Sequence, residues 1–367
     1  MVYIEAALMS AESTHLGFAT PYTALTIPHF KMRPSSRAIF TLSFFTISRT
    51  QNASIPLLNN TSATLVPAGS SNYSGNIPPI PWTTRPEVYG HSGNTVRYHR
   101  ARLNQVRIHY YVAGSGPPLL LIHGTPKTNY YWYKLVPLLT PHFTVMAPDL
   151  RGFGYTGKLA AAMGYDSRTN AIDLAGLITI LGFEQFHVHG EDRGAEFAYA
   201  VAGIYRDRVL FLSFCEMLLS GVSLDKWSYF TPENIPFFYY PNAAEMLIAG
   251  KEEELWSFFM ESECYNPMSI SRQAIAKWIS SAKGPGGLRG ILETYRADMS
   301  SSRTNGRSPI PVMTVGAPEF FGVNIRNEML MVAESAQRSV IFEECGYSLV
   351  LEAEVSLAVM LIDFMVG

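Results

Sequence analysis

The feature that most constrains the fold is a series of short apolar strands that alternates with helical sequence. Strand-like runs occupy residues 106–112, 118–122, 143–147 and 185–189. A helical segment covers residues 166–181, carries apolar side chains at helical spacing and stops at Gly182. Apolar strands separated by helices are typical of a parallel sheet with helices on both faces. We therefore predict an α/β fold with a mostly parallel, doubly wound sheet.

Three of these strands end in residues that can carry chemistry. The sequences are His-Gly-Thr-Pro at 123–126, Asp-Leu-Arg-Gly-Phe-Gly at 149–154 and Gly-Glu-Asp-Arg-Gly at 190–194. Open parallel sheets bind ligands at the carboxyl ends of their strands, so these residues are expected to line a site. The third sequence has the G-x-nucleophile-x-G form of a nucleophile elbow, a tight turn between a strand and a helix. Its central residue, Asp192, is the predicted nucleophile.

From Tyr98 to the C-terminus the chain resembles the α/β-hydrolase superfamily, in the branch of epoxide hydrolases and haloalkane or fluoroacetate dehalogenases. The resemblance is carried by the three strand-end sequences, by Trp132 and by Tyr165-Asp166. It implies an α/β-hydrolase fold with a helical cap domain inserted into the sheet domain. The expected segments are a leader at 1–90, a first core part at 91–217, a cap at 218–302 and a second core part at 303–367.

The same resemblance implies a two-step reaction on Asp192. Its carboxylate attacks an sp3 carbon that bears an epoxide oxygen or a halide and forms an alkyl ester, which a base-activated water then hydrolyses. The main-chain N–H groups of Thr125 and Arg193 would form the oxyanion hole. A cap tyrosine would donate a proton to the leaving oxygen. Tyr295 is favoured among the candidates, which are Tyr239, Tyr240, Tyr265 and Tyr295.

The position that holds the catalytic histidine in the family is occupied by Tyr347. The preceding residues are Glu344-Cys345-Gly346, and all nine histidines of the chain lie at or before His189. A phenol with a pKa near 10 is only about a thousandth ionised at pH 7, so phenolate is a scarce base. Tyr347 or a positioned water is the predicted substitute for the histidine, and hydrolysis is expected to be slow.

A carboxylate that orients the base is expected after one of two strands. Glu319 follows the next-to-last strand, where epoxide hydrolases have their acid, and it is the preferred candidate. Glu216 follows the strand after Asp192, where the fluoroacetate dehalogenase type has its acid. Either residue could instead be an ordinary solvated loop residue.

Other residues near the strand ends are expected to line the pocket, namely His123, Pro126, Trp132 and Glu191. His123 is expected to shape its turn rather than act as a base. Glu191 allows two interpretations: it could share a partly dry site with Asp192, which would raise a carboxyl pKa and favour proton transfer, or it could point away. Fluoroacetate dehalogenases have a second arginine three positions after the first, where this chain has Glu196 after Arg193. Fluoroacetate is therefore not the expected substrate.

Three functions stay open on these residues. The preferred one is an epoxide hydrolase-like enzyme that acts on a mid-sized apolar small molecule. The second is a non-hydrolytic enzyme, such as a cyclase, isomerase or lyase, in which Asp192 and its neighbours move protons. The third is an inactive homologue that binds a ligand. No metal or organic cofactor is expected, because no His/Cys/Asp cluster has ligand spacing and no phosphate-binding glycine loop occurs.

The charge balance and hydropathy limit the partners of the chain. The 28 basic and 30 acidic residues leave a formal net charge of −2, which argues against binding to nucleic acid. No uncharged apolar run is long enough to span a membrane. A small-molecule substrate is the expected partner, and the oligomeric state is not predicted.

Residues 1–90 differ in composition from the rest. Residues 50–84 carry no charge and are rich in Ser, Thr, Asn and Pro, which is typical of a disordered lead-in. A basic start and a short apolar run follow Met32, so this segment could act as a signal peptide. The expected compartment is cytoplasmic by family resemblance, or secreted if the signal peptide is real. The N-glycosylation acceptor sites of the chain lie in the uncharged stretch, at Asn52, Asn59, Asn60 and Asn72.

Overall fold

A computed structural model describes residues 64–67, 87–160, 164–224, 236–297 and 307–367. The segment after Met32 and the four glycosylation acceptors lie outside the described residues. Residues 225–235 and 298–302 of the predicted cap also lie outside them. What the sequence predicts for those segments stays a prediction.

Among the described residues, nine strands form one mostly parallel sheet. Their order across the sheet is β1-β9-β8-β7-β6-β4-β5-β3-β2, and the β2–β3 and β3–β5 pairs are antiparallel. This confirms the predicted α/β sheet. The strands are β1 (Thr64–Pro67), β2 (Arg97–Leu103), β3 (Val106–Gly114), β4 (Pro118–Ile122), β5 (Thr144–Pro148), β6 (Phe186–Glu191), β7 (Val209–Cys215), β8 (Val312–Gly316) and β9 (Ala336–Glu343).

The strand order reverses at β4, because β5 pairs with one side of it and β6 with the other. The residues that follow β4 and β6 therefore lie next to each other at the carboxyl edge of the sheet. Such a reversal is where open α/β sheets bind ligands. It brings the 123–126 turn beside the 190–194 turn.

The helices include one that the sequence predicts in detail. Asp166 is the N-cap of α2, and its side chain accepts a hydrogen bond from the Thr169 N–H at 2.9 Å. The helix ends before Gly182, whose φ is 84°. The α-helices of the described residues are α1 (Val136–Leu139), α2 (Ser167–Ile180), α3 (Arg193–Ile204), α4 (Pro236–Tyr239), α5 (Ala243–Ile248), α6 (Glu252–Ser262), α7 (Arg272–Lys283), α8 (Gly287–Arg296), α9 (Val323–Val332), α10 (Leu349–Glu352) and α11 (Glu354–Met365). Short 3-10 helices cover Asn129–Tyr133 and Pro267–Ser269.

Helices α4 to α8 lie in the chain between β7 and β8, and we call them the helical insertion. Helix α8 packs against α4, α5 and α7, and α6 packs against α7. Trp256 and Trp278 are buried in the insertion, and the Phe238 ring lies 6.3 Å from the Trp256 ring. These helices fall within residues 218–302, where the sequence predicts a cap.

The N-terminal segment departs from the prediction in two places. Strand β1 pairs in parallel with β9, with Thr64 opposite Val340. Val88 is fully buried. The prediction of a disordered leader over residues 1–90 is therefore wrong for β1 and for residues 87–90. The outer edge of β9 offers a pairing partner that composition alone does not reveal.

Candidate active site

Asp192 lies in a tight turn between β6 and α3, which we call the Asp192 turn (residues 190–194). Its backbone has φ 60° and ψ −141°, a conformation that residues with side chains rarely adopt. Glycine is required on both sides, because a Cβ on Gly190 would collide with the Gly194 carbonyl, and one on Gly194 with the Ile122 carbonyl. Asp192 stays 8% exposed at the carboxyl edge of the sheet. The motif at 190–194 therefore has the strand–turn–helix setting that a nucleophile there needs.

Two main-chain N–H groups act on the Asp192 carboxylate. The Arg193 N–H donates to Asp192 Oδ1. The Thr125 N–H also bonds to this carboxyl and lowers its pKa. The 123–126 turn comes so close that a Cβ on Gly124 would collide with the Asp192 side chain. Two fixed donors at one carboxylate can stabilise an oxyanion that forms on it.

His123 holds the 123–126 turn in place. Its Nε2 accepts the Leu150 N–H at 3.0 Å, so its Nδ1 carries the proton and donates to the Gly124 carbonyl at 2.8 Å. Burial lowers the pKa of His123 to about 4. The ring is therefore neutral at pH 7 and both nitrogens are engaged, which supports a structural role rather than a catalytic one.

Pro126 and Trp132 are buried close to the same turn. A cis peptide bond precedes Pro126. The Trp132 ring packs against the rings of Tyr131 and His189, with centroids 5.0 and 5.2 Å away. Trp132 is fully buried and packs in the core, and its place in the pocket stays a prediction.

Lys127 was not among the residues that the sequence pointed to. Its Nζ lies 4.0 Å from Asp192 Oδ2 and 3.8 Å from Glu263 Oε2. It also donates to Ser348 Oγ at 3.2 Å and lies 5.4 Å from the centre of the Tyr347 ring. Burial alone would lower the pKa of Lys127, but the carboxylates of Glu263 and Asp192 raise it above its ordinary value. Lys127 is therefore a fully buried cation beside Asp192.

Glu263 brings a second carboxyl group to the site from the helical insertion. It directly follows α6, and its main-chain oxygen accepts the Tyr347 N–H at 2.8 Å. Burial raises the pKa of its carboxyl to about 7, Lys127 opposes this increase, and Asp192 adds to it. Glu263 can therefore hold or release a proton near neutral pH. No sequence motif distinguishes Glu263. It follows a helix whose acidic first turn is typical of a solvated helix.

Tyr347 lies in the site, after β9, but is a poor base. Its ring centroid lies 5.3 Å from that of Phe320. Burial raises the pKa of its phenol well above the ordinary value, and the charges of Asp192 and Glu263 add to the increase. The phenol is protonated at neutral pH, so Tyr347 can donate a hydrogen bond. This corrects the prediction that it replaces histidine as the base.

The two candidate orienting acids meet at one loop. Glu216 is fully buried, and its carboxylate accepts the N–H groups of Ala317 and Phe321, the latter at 3.2 Å. Burial raises the pKa of Glu216 well above its ordinary value. Glu319 lies exposed in the same loop. The preference for Glu319 is therefore corrected: it is a surface residue, whereas Glu216 holds the loop whose Phe321 ring packs on Tyr347.

Glu191 precedes Asp192 and is fully buried. The Tyr131 hydroxyl donates a hydrogen bond to Glu191 Oε1. Burial raises the pKa of Glu191 to about 7, while Lys127 and the Tyr131 hydrogen bond oppose the increase. The bond to Tyr131 favours the interpretation in which Glu191 does not share a proton with Asp192.

The four candidate tyrosines divide into two pairs. The Tyr295 ring on α8 lies 5.5 Å from the Arg193 guanidinium, and burial raises the pKa of its phenol well above the ordinary value. Tyr239 is half-buried at the end of α4 and interacts with both of these residues. Tyr240 is 64% exposed and Tyr265 is 51% exposed. The first pair lies near the Asp192 turn, whereas the second pair lies on the surface, contrary to the prediction.

The Arg193 guanidinium is paired within the fold. It donates to Glu196 Oε2 at 2.5 Å and to Ser220 Oγ at 3.3 Å. Glu196 is fully buried, and its other oxygen accepts the Ser220 N–H at 2.8 Å. The guanidinium charge is therefore balanced, and what Arg193 offers at the carboxylate is its main-chain N–H.

Two kinds of feature are absent from the described residues. No group of three or more His, Cys, Asp or Glu side chains there is arranged to hold a metal ion. No helix in the same part of the chain is long and apolar enough to cross a membrane.

Known proteins are similar to this chain in sequence and in architecture. A family described as "alpha/beta hydrolase fold" matches residues 117–317. The soluble epoxide hydrolase of a Corynebacterium species is 33% identical over 265 residues, which are 69% of this chain and 91% of that protein.

Solved structures agree with the sequence matches. Wild-type Cfl2 from Burkholderia cenocepacia is 28% identical with a TM-score of 0.67, over 73% of this chain and 95% of that one. The ligand-free epoxide hydrolase CorEH is 30% identical with a TM-score of 0.65, over 74% of this chain and 99% of that one. The predicted α/β-hydrolase fold is thereby confirmed. This chain is an epoxide hydrolase-like member of the α/β-hydrolase fold family.

Proposed function

We propose that this protein opens an epoxide on a mid-sized apolar molecule by forming an alkyl ester on Asp192, and that it then hydrolyses this ester to release a diol. The observation that carries the proposal is the Asp192 carboxylate in its strained turn, with the N–H groups of Arg193 and Thr125 on it. The likeness to a soluble epoxide hydrolase supports the same class of reaction.

The first step is an attack of an Asp192 carboxylate oxygen on an epoxide carbon. The ring C–O bond breaks, and the leaving oxygen takes the phenol proton of Tyr295. Burial raises the pKa of Tyr295 well above its ordinary value, so the phenol carries its proton before the reaction. Tyr239 lies close to Tyr295 and is the second candidate donor.

Asp192 must be ionised to attack. Burial raises the pKa of its carboxyl, whereas Lys127 is the largest of the contributions that lower it. The two groups lie 4.0 Å apart. Lys127 therefore favours the charged form of Asp192 that the first step needs.

In the second step, water attacks the ester carbonyl carbon. The N–H groups of Thr125 and Arg193 stabilise the negative charge that forms on the carbonyl oxygen. The attacking water must also lose a proton. The protonated phenol of Tyr347 cannot accept it, so the step needs another base.

The charges of the site favour an uncharged substrate. Lys127 lies between two carboxyl groups, and Arg193 pairs with Glu196. Both cations are therefore already compensated within the protein. This supports an apolar epoxide and argues against a small carboxylate such as fluoroacetate.

A non-hydrolytic reaction is the second candidate function. Burial raises the carboxyl pKa values of Glu191 and Glu263 to about 7. Groups that titrate near neutral pH can both donate and accept protons, as a cyclase, isomerase or lyase requires. In such a reaction Asp192 would move protons and form no ester.

Intact-mass spectrometry tests the proposal. Protein incubated with a panel of aromatic and aliphatic epoxides should gain the mass of one epoxide, and diol should appear in solution. Asp192→Asn should abolish both the adduct and the diol. Asp207→Asn makes the same chemical change at an exposed position and should leave both unchanged.

The balance between adduct and diol identifies the slow step. A stable adduct with little diol would mean that alkylation proceeds and ester hydrolysis is slow. Rapid diol release would mean that an efficient base is present. If wild-type protein gave neither product with any epoxide, epoxide opening would be contradicted, and proton transfer or ligand binding would replace it.

A further inference from the structure

We infer that Glu263, positioned by Lys127, accepts the proton of the water that hydrolyses the Asp192 ester. This inference rests on the proposed function and supplies the base that its second step lacks. Lys127 is a positioning residue here, because it acts through the carboxyl groups on either side of it.

Glu263 lies beside the residue at the family's histidine position. Its main-chain oxygen accepts the N–H of Tyr347, the residue at the histidine position, at 2.8 Å. The packing is tight, since a Cβ on Gly346 would collide with the same oxygen. The helical insertion thus delivers a carboxyl group to the loop in which this chain has no histidine.

Lys127 lies between the carboxyl groups of Glu263 and Asp192 and forms an ion pair with each. The Lys127 Nζ lies 3.8 Å from Glu263 Oε2 and 4.0 Å from Asp192 Oδ2. The Lys127 side chain has no exposed surface, whereas the Glu263 side chain stays 22% exposed. Glu263 is therefore held on one side by a buried ammonium and open to water on the other.

Formation of the ester prepares Glu263 to act as a base. Asp192 loses its negative charge when it is alkylated, and that charge is one of the causes that raise the pKa of Glu263. Lys127 keeps its positive charge and continues to lower the pKa of Glu263. Glu263 is therefore more fully ionised at the stage when a proton acceptor is needed.

All protons are accounted for over the cycle. Water adds to the ester carbonyl carbon and gives a proton to Glu263. The tetrahedral intermediate expels the alkoxide, which takes this proton back and leaves as the diol. The Tyr295 phenolate that ring opening leaves takes a proton from solvent before water attacks the ester. Asp192 is released as a carboxylic acid and returns one proton to solvent. No further reactant is required.

The other acidic groups near Asp192 have different partners. Glu191 accepts a hydrogen bond from the Tyr131 hydroxyl, and Glu216 accepts hydrogen bonds from two main-chain N–H groups of the loop after β8. Both are fully buried. The charge of Lys127 acts on Glu191 as well, but Glu263 differs from Glu191 and Glu216 because its side chain is partly exposed.

Single-turnover kinetics with intact-mass detection tests the assignment. Glu263→Gln should leave adduct formation within about threefold of wild type and slow ester hydrolysis by about 10²-fold or more, the range expected for loss of a general base. The variant should therefore accumulate the adduct. Glu261→Gln makes the same change at an exposed position two residues earlier and should leave both rates unchanged.

The pH dependence is a readout that a purely structural role would not move. In wild type, the rate of ester hydrolysis should rise with pH as Glu263 ionises and then level off. Glu263→Gln should remove this rise, and Glu263→Asp should keep it at a reduced rate. The other charged or titratable groups that face Glu263 are Lys127, Asp192, Cys264, Tyr295 and Tyr347.

The outcomes separate this inference from the proposed function. Ester hydrolysis at the wild-type rate in Glu263→Gln would overturn the inference and leave the ester mechanism intact. A wild-type protein that forms neither adduct nor diol would contradict the ester mechanism itself. If Glu263→Gln failed to fold, as shown by its Tm, a normal pH-dependent rise in Glu263→Asp would support the inference and its absence would overturn it.

Discussion

The Asp192 turn and the charged cluster of Lys127, Glu263 and Tyr347 lie side by side but are built differently. The turn is made by main chain, where two adjacent strands end and glycines allow a close approach. The cluster is made by side chains from three distant segments, after β4, after α6 and after β9. The geometry of the main-chain turn is determined by a short local sequence. The geometry of the side-chain cluster is determined by the packing of the whole fold. The two parts should therefore respond differently to substitution.

The largest effect is expected where the main chain sets the geometry. Gly124→Ala adds a Cβ that would collide with the Asp192 side chain, so the N–H of Thr125 must move away from the carboxylate. We expect hydrolysis of the Asp192 ester to slow by about 10²- to 10³-fold, as for loss of one oxyanion donor. Intact-mass spectrometry measures the rate. Gly90→Ala, whose added Cβ meets its neighbours only at 3.9 Å, is the matched control. A fully active Gly124→Ala variant would break the comparison.

The next largest effect is expected in the charged cluster. Lys127→Met keeps the length of the side chain and removes the charge that most lowers the pKa of Asp192. The pKa of Asp192 should then rise, so adduct formation at pH 7 should slow by roughly 10²-fold and recover at higher pH. The pH profile of adduct formation measures this, with the exposed Lys251→Met as control. An unshifted profile would show that Lys127 does not control the ionisation of Asp192.

A smaller effect is expected from the tyrosines of the insertion. Tyr295→Phe removes the proposed proton donor but leaves Tyr239 near the same place. We expect adduct formation to slow by about tenfold, at the low end of what a general acid contributes. Tyr240→Phe, at an exposed position, should have no effect. Equal rates in the two variants would remove Tyr295 from the mechanism.

The smallest effect is expected at the histidine position itself. The Tyr347 phenol is protonated and lies 5.4 Å from the Lys127 ammonium, measured to the ring centre. Tyr347→Phe keeps this ring and removes a hydrogen-bond donor, so ester hydrolysis should slow by only about two- to fivefold. Decay of the adduct mass over time measures the rate. A loss as large as in Glu263→Gln would instead make Tyr347 the base.

The sheet and the Asp192 turn could be predicted from sequence because local rules determine them. Apolar runs mark buried parallel strands, and the glycines of 190–194 mark a turn that other residues cannot form. The helix after Asp166 was predictable for the same reason, since its cap and its terminal glycine are both local signals.

The charged cluster could not be predicted because no local signal describes it. Lys127 follows the 123–126 turn as an ordinary polar loop residue would, and Glu263 ends a helix with an acidic first turn. Their meeting depends on how the insertion packs against the loop after β9. The protonation of Tyr347 likewise follows from burial, which the sequence does not show.

The choice between Glu216 and Glu319 failed for a related reason. Both residues follow strands at positions where members of the family have an acid, and these positions gave only a preference for Glu319. Exposure distinguishes them, since Glu216 has no exposed surface and Glu319 lies on the surface. Two positions that both fit the spacing of the family can therefore differ completely in solvent exposure.

The short strand β1 has a consequence for the solubility of shortened forms of the chain. It pairs with the outer side of β9 through residues 64–67, far from the site in sequence. A polypeptide that begins after residue 67 would keep Asp192 and its neighbours but leave β9 as an open edge, which other molecules can extend by strand pairing. Residues 64–67 thus cover the edge of β9 and are expected to reduce aggregation, although they take no part in the chemistry.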